Sequence, residues 1–362
     1  MKKLGLVMIV AVVLVGASSV LAADDSQSSA ALAWLRGTQG ADGGFSNGFA
    51  PGSDLGTTVE VVLAAAAAGE DVSGWVSPAG NSPVDYLSAQ VAAGSVSDAN
   101  SLSRVIFAVV AAGQDARAFG GKDLVAALQA SQDEVTGQYG DSLFAHAYAL
   151  LALHSAGAAL PEAAVDLLAS QFTADGAWAL FGGSTPGTAD TNTTAVAMQA
   201  LVAAGRPDLA AGALPYLQRM QNDDGGFPYQ KPSPWGTDTD ANSTAVVLQA
   251  LYALDQPLGA WAASGTDPLG TLLSLGDPET GAYYWQAAVP FANTMATAQA
   301  VQAVEGMTLV AVPRVGALRT VTVPAAPAIP LLPASGGSIM LSGLWLGAGL
   351  AAVAGGLSRR RK

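Results

Sequence analysis

Four times along the chain a leucine is followed four residues later by a glutamine, and soon after by glycine, any residue and an aromatic ring. The instances are Leu35, Gln39 and Gly43-Gly44-Phe45; Leu128, Gln132 and Gly137-Gln138-Tyr139; Leu167, Gln171 and Gly176-Ala177-Trp178; and Leu217, Gln221 and Gly225-Gly226-Phe227. After each comes a polar stretch, then an Ala-rich segment that often closes on Ala-Ala-Gly, as at Ala67-Ala68-Gly69, Ala111-Ala112-Gly113 and Ala203-Ala204-Gly205. Two further units are degenerate. One runs from Pro83 to about Gln114; the other runs from Asp267 to Glu305 and keeps Gly281-Ala282-Tyr283, with Leu275 in place of the glutamine. Self-similarity at this period, roughly 35 to 50 residues, identifies a repeat architecture.

Apolar periodicity and alanine content predict a helical hairpin in each unit, hence six hairpins and twelve helices. A segment such as Thr194-Ala195-Val196-Ala197-Met198-Gln199-Ala200-Leu201 is apolar on nearly every face and must be buried, so the second helix of each unit is the inner one. Six hairpins side by side can close into a ring, which removes the exposed ends that an open solenoid has to cap. The glutamine is placed to bond backbone in the turn, and the aromatic to pack over the next hairpin.

The best units, around Gln39 and Gln221, resemble the QW-type repeat of the squalene cyclase and protein prenyltransferase superfamily. That resemblance covers 28–307 and implies an all-α fold, an α/α toroid of about six hairpins. Composition narrows what such a ring can do. The prenyltransferase zinc site requires cysteine, as does the complement-like thioester, and the chain has none. Squalene-hopene-type cyclases use the middle acid of Asp-x-Asp-Asp as proton donor. Here Asp238 and Asp240 match its first two acids, with Asp240 as the general acid of that reading, while Ala241 replaces the last. The competing reading is that Asp190-Thr191-Asn192-Thr193-Thr194 and Asp240-Ala241-Asn242-Ser243-Thr244, one in each of two successive repeats, simply cap inner helices.

If the inner-helix starts converge on one rim, Asp54, Asp141, Asp190, Asn192, Asp238, Asp240, Asn242 and Asn293 share it. Trp178, Phe181, Tyr229, Trp235, Tyr284 and Trp285 then stand on nearby loops. Polar groups beside aromatic walls suit a neutral amphipathic ligand. The text around Asp190–Met198 is also similar to intrinsic factor and transcobalamin, which makes a corrinoid the specific ligand guess, with a partner β-domain to cover it. No resident cofactor or metal is expected. Asp223-Asp224-Gly225-Gly226 is a weak Ca²⁺ signal, and His146 and His154 read as core or groove residues.

The ends read as export and anchoring. Met1-Lys2-Lys3, an apolar run to Val15 and small residues up to Ala22 form a signal peptide over 1–22. At the other end, Ile339 to Leu357 is uncharged and long enough to cross a bilayer, giving a predicted transmembrane helix over 338–357. The tail at 358–362, Ser-Arg-Arg-Arg-Lys, marks the cytoplasmic side. Between ring and span lies a Pro-rich segment, 308–337, expected to be an extended stalk. It contains Leu332-Pro333-Ala334-Ser335-Gly336, which resembles the sorting signal that sortase cleaves to join surface proteins to the cell wall. Between Asp24 and Glu305 there are 28 acidic against seven basic residues, a net charge of −21. That field repels nucleic acid. A surface-anchored binding protein for a small molecule, peptide or glycan is the expectation, with a β-domain protein or a transporter as its partner; the alternatives are a cyclase and a purely structural surface module.

Overall fold

The computed structural model describes residues 26–315, apart from Phe49 and Ser184. The expected signal segment, most of the expected stalk, and the expected sorting motif, transmembrane span and basic tail lie outside the described residues. No helix among the described residues is long and apolar enough to cross a membrane.

Each repeat folds as predicted, into an outer and an inner helix. The inner helices are α2 (Leu55–Ala67), α4 (Ala99–Ala111), α6 (Leu143–Ser155), α8 (Thr191–Ala203), α11 (Ala241–Ala253) and α13 (Thr294–Val304). Around them stand α1 (26–37), α3 (Pro83–Ala92), α5 (Leu124–Ala130), α7 (Glu162–Ser170), α10 (Leu214–Met220) and α12 (Pro268–Ser274), with a short α9 (Pro207–Ala211) leading into α10. The closure is explicit: α2 packs on α4, α4 on α6, α6 on α8, α8 on α11, α11 on α13, and α13 back on α2. A two-stranded hairpin, β1 (Tyr284–Gln286) and β2 (Val289–Ala292), leads into α13.

The repeat's marker residues do the jobs expected of them. Gln39 Nε2 donates to the carbonyl oxygens of Gly43 and Trp75, and Gln221 Nε2 to those of Gly225 and Trp261. Each glutamine thus ties its own turn to the connector that follows the inner helix. The aromatics Phe45, Tyr139, Trp178, Phe227 and Tyr283 are all essentially inaccessible, and the rings of Phe45 and Trp75 meet edge to face 6.3 Å apart.

A second device links each aromatic to its inner helix. The backbone N–H of Phe45, Trp178, Phe227 and Tyr283 donates to the hydroxyl of Thr58, Thr194, Thr244 and Thr297 respectively, at 2.8–3.2 Å. In the third unit Tyr139 donates instead to His146 Nδ1 at 3.0 Å. The proton of that ring is therefore on Nε2, which donates to Ala164 O at 2.9 Å. His146 is a core residue holding the place of a threonine.

The ring does not end at Met307. Residues 308–315, the first part of the expected stalk, continue from Met307 across the C-terminal ends of the inner helices. Met307 and Leu309 are buried, Leu309 N–H donates to Gln199 Oε1, Arg314 Nη2 to Ser155 O, and Val315 N–H to Ala111 O. Because α13 stands across the ring from α6, this strap spans the diameter and seals that end. Apolar Met307 and Leu309, with partly buried Val310 beside them, explain the difference: they cover helix ends that would otherwise expose Ala and Leu to water.

Candidate functional site

The open end of the ring is the end where the inner helices begin. All six beginnings are capped by a side chain that accepts a backbone N–H: Asp54, Asp98, Ser142, Asp190, Asp240 and Asn293. The cap of α6 is Ser142, not Asp141, which is exposed; the serine hydroxyl is one residue closer to the free N–H of Ala145. Capping is thus the structural role of Asp190 and Asp240. Their Oδ1 atoms accept from Thr193 and Ser243, each at 2.7 Å.

Both of these caps are buried, and burial pushes their carboxyls up, Asp190 to about 7 and Asp240 to about 6, against the pull of the N–H groups they accept. Tyr229 sits between them. Its phenol lies beside the Asp190 carboxyl, and its backbone N–H serves Asp240. Thr191 fixes this arrangement by donating from its N–H and hydroxyl to Tyr229 O, both at 2.9 Å. Asp238 is exposed on the loop and does not figure among the groups acting on Asp240. The two acids of the expected donor motif are therefore not a pair.

The other expected rim residues divide. Trp235 and Phe181 are exposed on the loops entering α11 and α8, joined by Phe291 on β2, and Trp285 and Tyr284 are half-buried on β1. Trp178 is not a rim residue. It is buried in the wall, with Nε1 donating to Leu168 O. His154 sits in the last turn of α6, away from the open end. Asp224 is engaged locally, accepting from Thr239 Oγ1 and Gly226 N–H. Among the described residues no cluster of three or more His, Asp or Glu forms a site for a metal ion.

What the rim opens into is defined by residual exposure along otherwise buried helices. In α4, every residue from Ser101 to Ala111 is buried except Arg104; in α11, every residue from Ala241 to Leu251 except Asn242 and Val246. In α13, every residue from Met295 to Ala303 is buried except Met295 and Gln299. Within the buried runs of the other three helices, the most accessible side chains are Phe144 and Tyr148 in α6, Asn192 in α8 and Glu60 in α2. These positions coincide: they are the second and sixth residues after each cap, a spacing of four that puts both on one helical face. With the opposite faces covered by outer helices, this face looks down the ring axis.

This shared face is the lining of a candidate cup. One wall carries Glu60, Asn100, Arg104, Phe144 and Tyr148; the other carries Asn192, Asn242, Val246, Met295 and Gln299. Asn242 Nδ2 donates to Gln299 Oε1 at 2.6 Å across the α11–α13 junction. One turn deeper, Gln249 Nε2 donates to Gln302 Oε1, and Gln302 Nε2 to the Glu60 carboxylate. Leu309 of the strap closes the floor beside Gln199. Of the expected site residues, Asn192 and Asn242 reach this cup. Glu60, Arg104, Phe144, Tyr148 and Gln299 were missed. A charged residue within a buried Ala/Val helix is rarely accidental, so Glu60 and Arg104 carried the signal once the caps were aligned.

No protein-family model and no curated protein matches this sequence. Solved structures do resemble it. The type II terpene cyclase MstE from Scytonema superposes with a TM-score of 0.59 at 14% identity, over 78% of this chain and 97% of its own. A protein from Actinoplanes gives 0.55 at 15% identity, over 78% and 99%. Haptocorrin in complex with Cbi gives 0.51 at 14% identity, over 80% and 69%. At such identities the likeness concerns architecture alone, and it agrees with the helix-by-helix closure described above: this chain folds as an α/α toroid of the terpenoid cyclase type.

Proposed function

We propose that this protein is a receptor that takes a neutral amphipathic small molecule into the cup. The observation that carries the reading is a ring sealed at one end and open at the other, whose axial stripe alternates amides with aromatic and aliphatic groups. Such a mixture offers hydrogen bonds for orientation and apolar surface for affinity. A corrinoid is the specific candidate, motivated by the sequence likeness around Asp190 and by the fold shared with haptocorrin. In this reading the rim residues Asp190, Asn192, Asp238, Asp240, Asn242, Tyr229, Trp235 and Trp285 frame the entrance, and a partner domain or transporter meets it from outside. The protein is exported and held at the cell surface by its C-terminus, through the membrane span or after sortase joins it to the wall at Ser335. The strap gives that arrangement a direction, because the chain leaves the ring on the face opposite the mouth.

The test is retention. Residues 24–315 mixed with cyanocobalamin are expected to keep a red species through desalting, and loss of colour at high micromolar ligand overturns the corrinoid assignment. The second reading is a cyclase with Asp240 as general acid, favoured by its raised carboxyl pKa. A cyclic product from squalene, lost in Asp240→Asn, would establish it. Against it stand the cap bond that occupies Asp240 and the ion pair and amides that the cup walls carry beside their aromatics. The structural surface module is the reading left if neither experiment gives a signal.

A further inference from the structure

The cup has a single cation on its axial stripe, and it is unusually well held. Arg104 Nε donates to Asn100 Oδ1 and Nη1 to Glu60 Oε1, both at 3.2 Å. Its guanidinium carbon lies 5.1 Å from the ring centre of Tyr148. Tyr148 is fixed in turn, stacked on Phe144 at 4.6 Å and met edge-on by Phe107 at 5.5 Å. Glu60 is held from its other side by Gln302 Nε2 at 2.8 Å. Five consecutive inner helices thus contribute to one chain of contacts, from Gln249 through Gln302, Glu60 and Arg104 to Tyr148.

Two features turn this from scaffold into a site. First, the Arg104 side chain keeps 14% of its surface while Glu60 keeps 4%, so the cation and not the anion faces the opening. Second, a guanidinium has five N–H groups, and among the described residues the Arg104 Nη2 group makes no hydrogen bond or ion pair. An oriented donor therefore waits on the axial face. Its charge is already balanced by Glu60, so a ligand carboxylate would gain one cation while approaching one anion. A neutral oxygen acceptor meets no such penalty. Phe144 stands one helical turn nearer the mouth than Tyr148 and offers a flat apolar surface beside that donor.

Resting on the reading of the cup as a ligand site, we propose that Arg104 anchors the ligand. Its Nη2 donates to the carbonyl oxygen of a neutral carboxamide-type group, whose flat neighbouring part lies along Phe144. Glu60 is a positioning residue: it holds the guanidinium and rejects acids.

Fragments test this without knowing the natural ligand. In ¹⁵N spectra of arginine side chains of the 362-residue chain, the Arg104 Nε–H is identified by its loss in Arg104→Lys, or by its contact with the Tyr148 ring should that variant not fold. Benzamide is expected to shift it saturably, benzoate to bind at least tenfold more weakly, and toluene to leave it unmoved. In Glu60→Gln, where the amide still accepts from Arg104, benzoate should overtake benzamide. Absence of a saturable benzamide shift, an equal shift with toluene, or a preference for benzoate in the parent chain overturns the proposal. Failure of cobalamin retention with benzamide still bound retires the corrinoid alone, whereas retention with no benzamide shift retires the anchor alone.

Discussion

At the scale of single residues, the titratable groups of the ring pull stability in opposite directions with pH. His146 is buried as a neutral ring, and burial pushes its pKa below the ordinary value. The unfolded chain binds that proton first as pH falls below about 6.5, so its contribution is intact above that value and is lost on the acid side. Asp190 and Asp240 behave oppositely. With carboxyls raised to about 7 and about 6, the folded chain keeps protons that the unfolded chain has already released. Their contribution is present below about pH 4 and is lost as pH rises through those values. Urea midpoints measured from pH 4.5 to 8 should show both slopes. Asp240→Asn, which keeps a competent cap, should flatten the fall between about pH 4 and 6, and His146→Gln should remove the acid-side fall. An unchanged profile in both variants would mean these groups are not buried as described.

At the scale of the element, the turn between outer and inner helix explains why the Gly-x-aromatic signature repeats. Gly43 and Gly225 have φ of 89° and 90°, and a β-carbon on them would sit 2.3 Å from Ser82 O and 2.4 Å from Thr266 O. Each glycine is demanded twice, by its own backbone conformation and by the backbone of the next hairpin lying against it. Gly225→Ala should therefore cost well beyond the roughly 1 kcal/mol of ordinary backbone strain. We expect a loss of about 2–4 kcal/mol in chemical denaturation, in the range of overpacked core sites. Gly236→Ala is the control for positive φ alone, since nothing lies within 4 Å of a β-carbon there. Equal losses in the two variants would show that close approach contributes nothing. The repeat was legible at this scale because the same local constraint recurs at fixed spacing: Leu-x-x-x-Gln and Gly-x-aromatic are the parts whose partners lie in the same or the adjacent hairpin.

At the scale of the molecule, the strap decides whether the ring is a tube or a cup. Ending the chain after Gly306 removes two buried side chains, Met307 and Leu309, and strips Gln199 Oε1 of its partner in a buried setting. Each fully buried apolar side chain contributes about 1.5–3 kcal/mol, and an orphaned acceptor costs about 1–3. Such a chain should melt several degrees below one ending after Val315, by circular dichroism. Coincident melting curves would remove the strap from the account of the fold. Because the strap leads directly toward the expected anchor, this is also where the ring's stability meets the way it is held.

The sequence alone determined the repeat, the helical hairpins, which helix of each pair is inner, and the capping character of Asp190 and Asp240. Each follows from interactions within one unit or between neighbours, and these leave a periodic trace. Three matters were settled only in three dimensions. Asp238 parts company with Asp240 because one lies on an exposed loop and the other under Tyr229. Residues 308–315 join the ring because the ends of α4, α6 and α8, distant in sequence, converge beneath them. Glu60, Arg104 and Tyr148 meet because closure of the ring brings α2, α4 and α6 side by side around one axis. None of these contacts has a fixed spacing along the chain; each depends on the ring having closed.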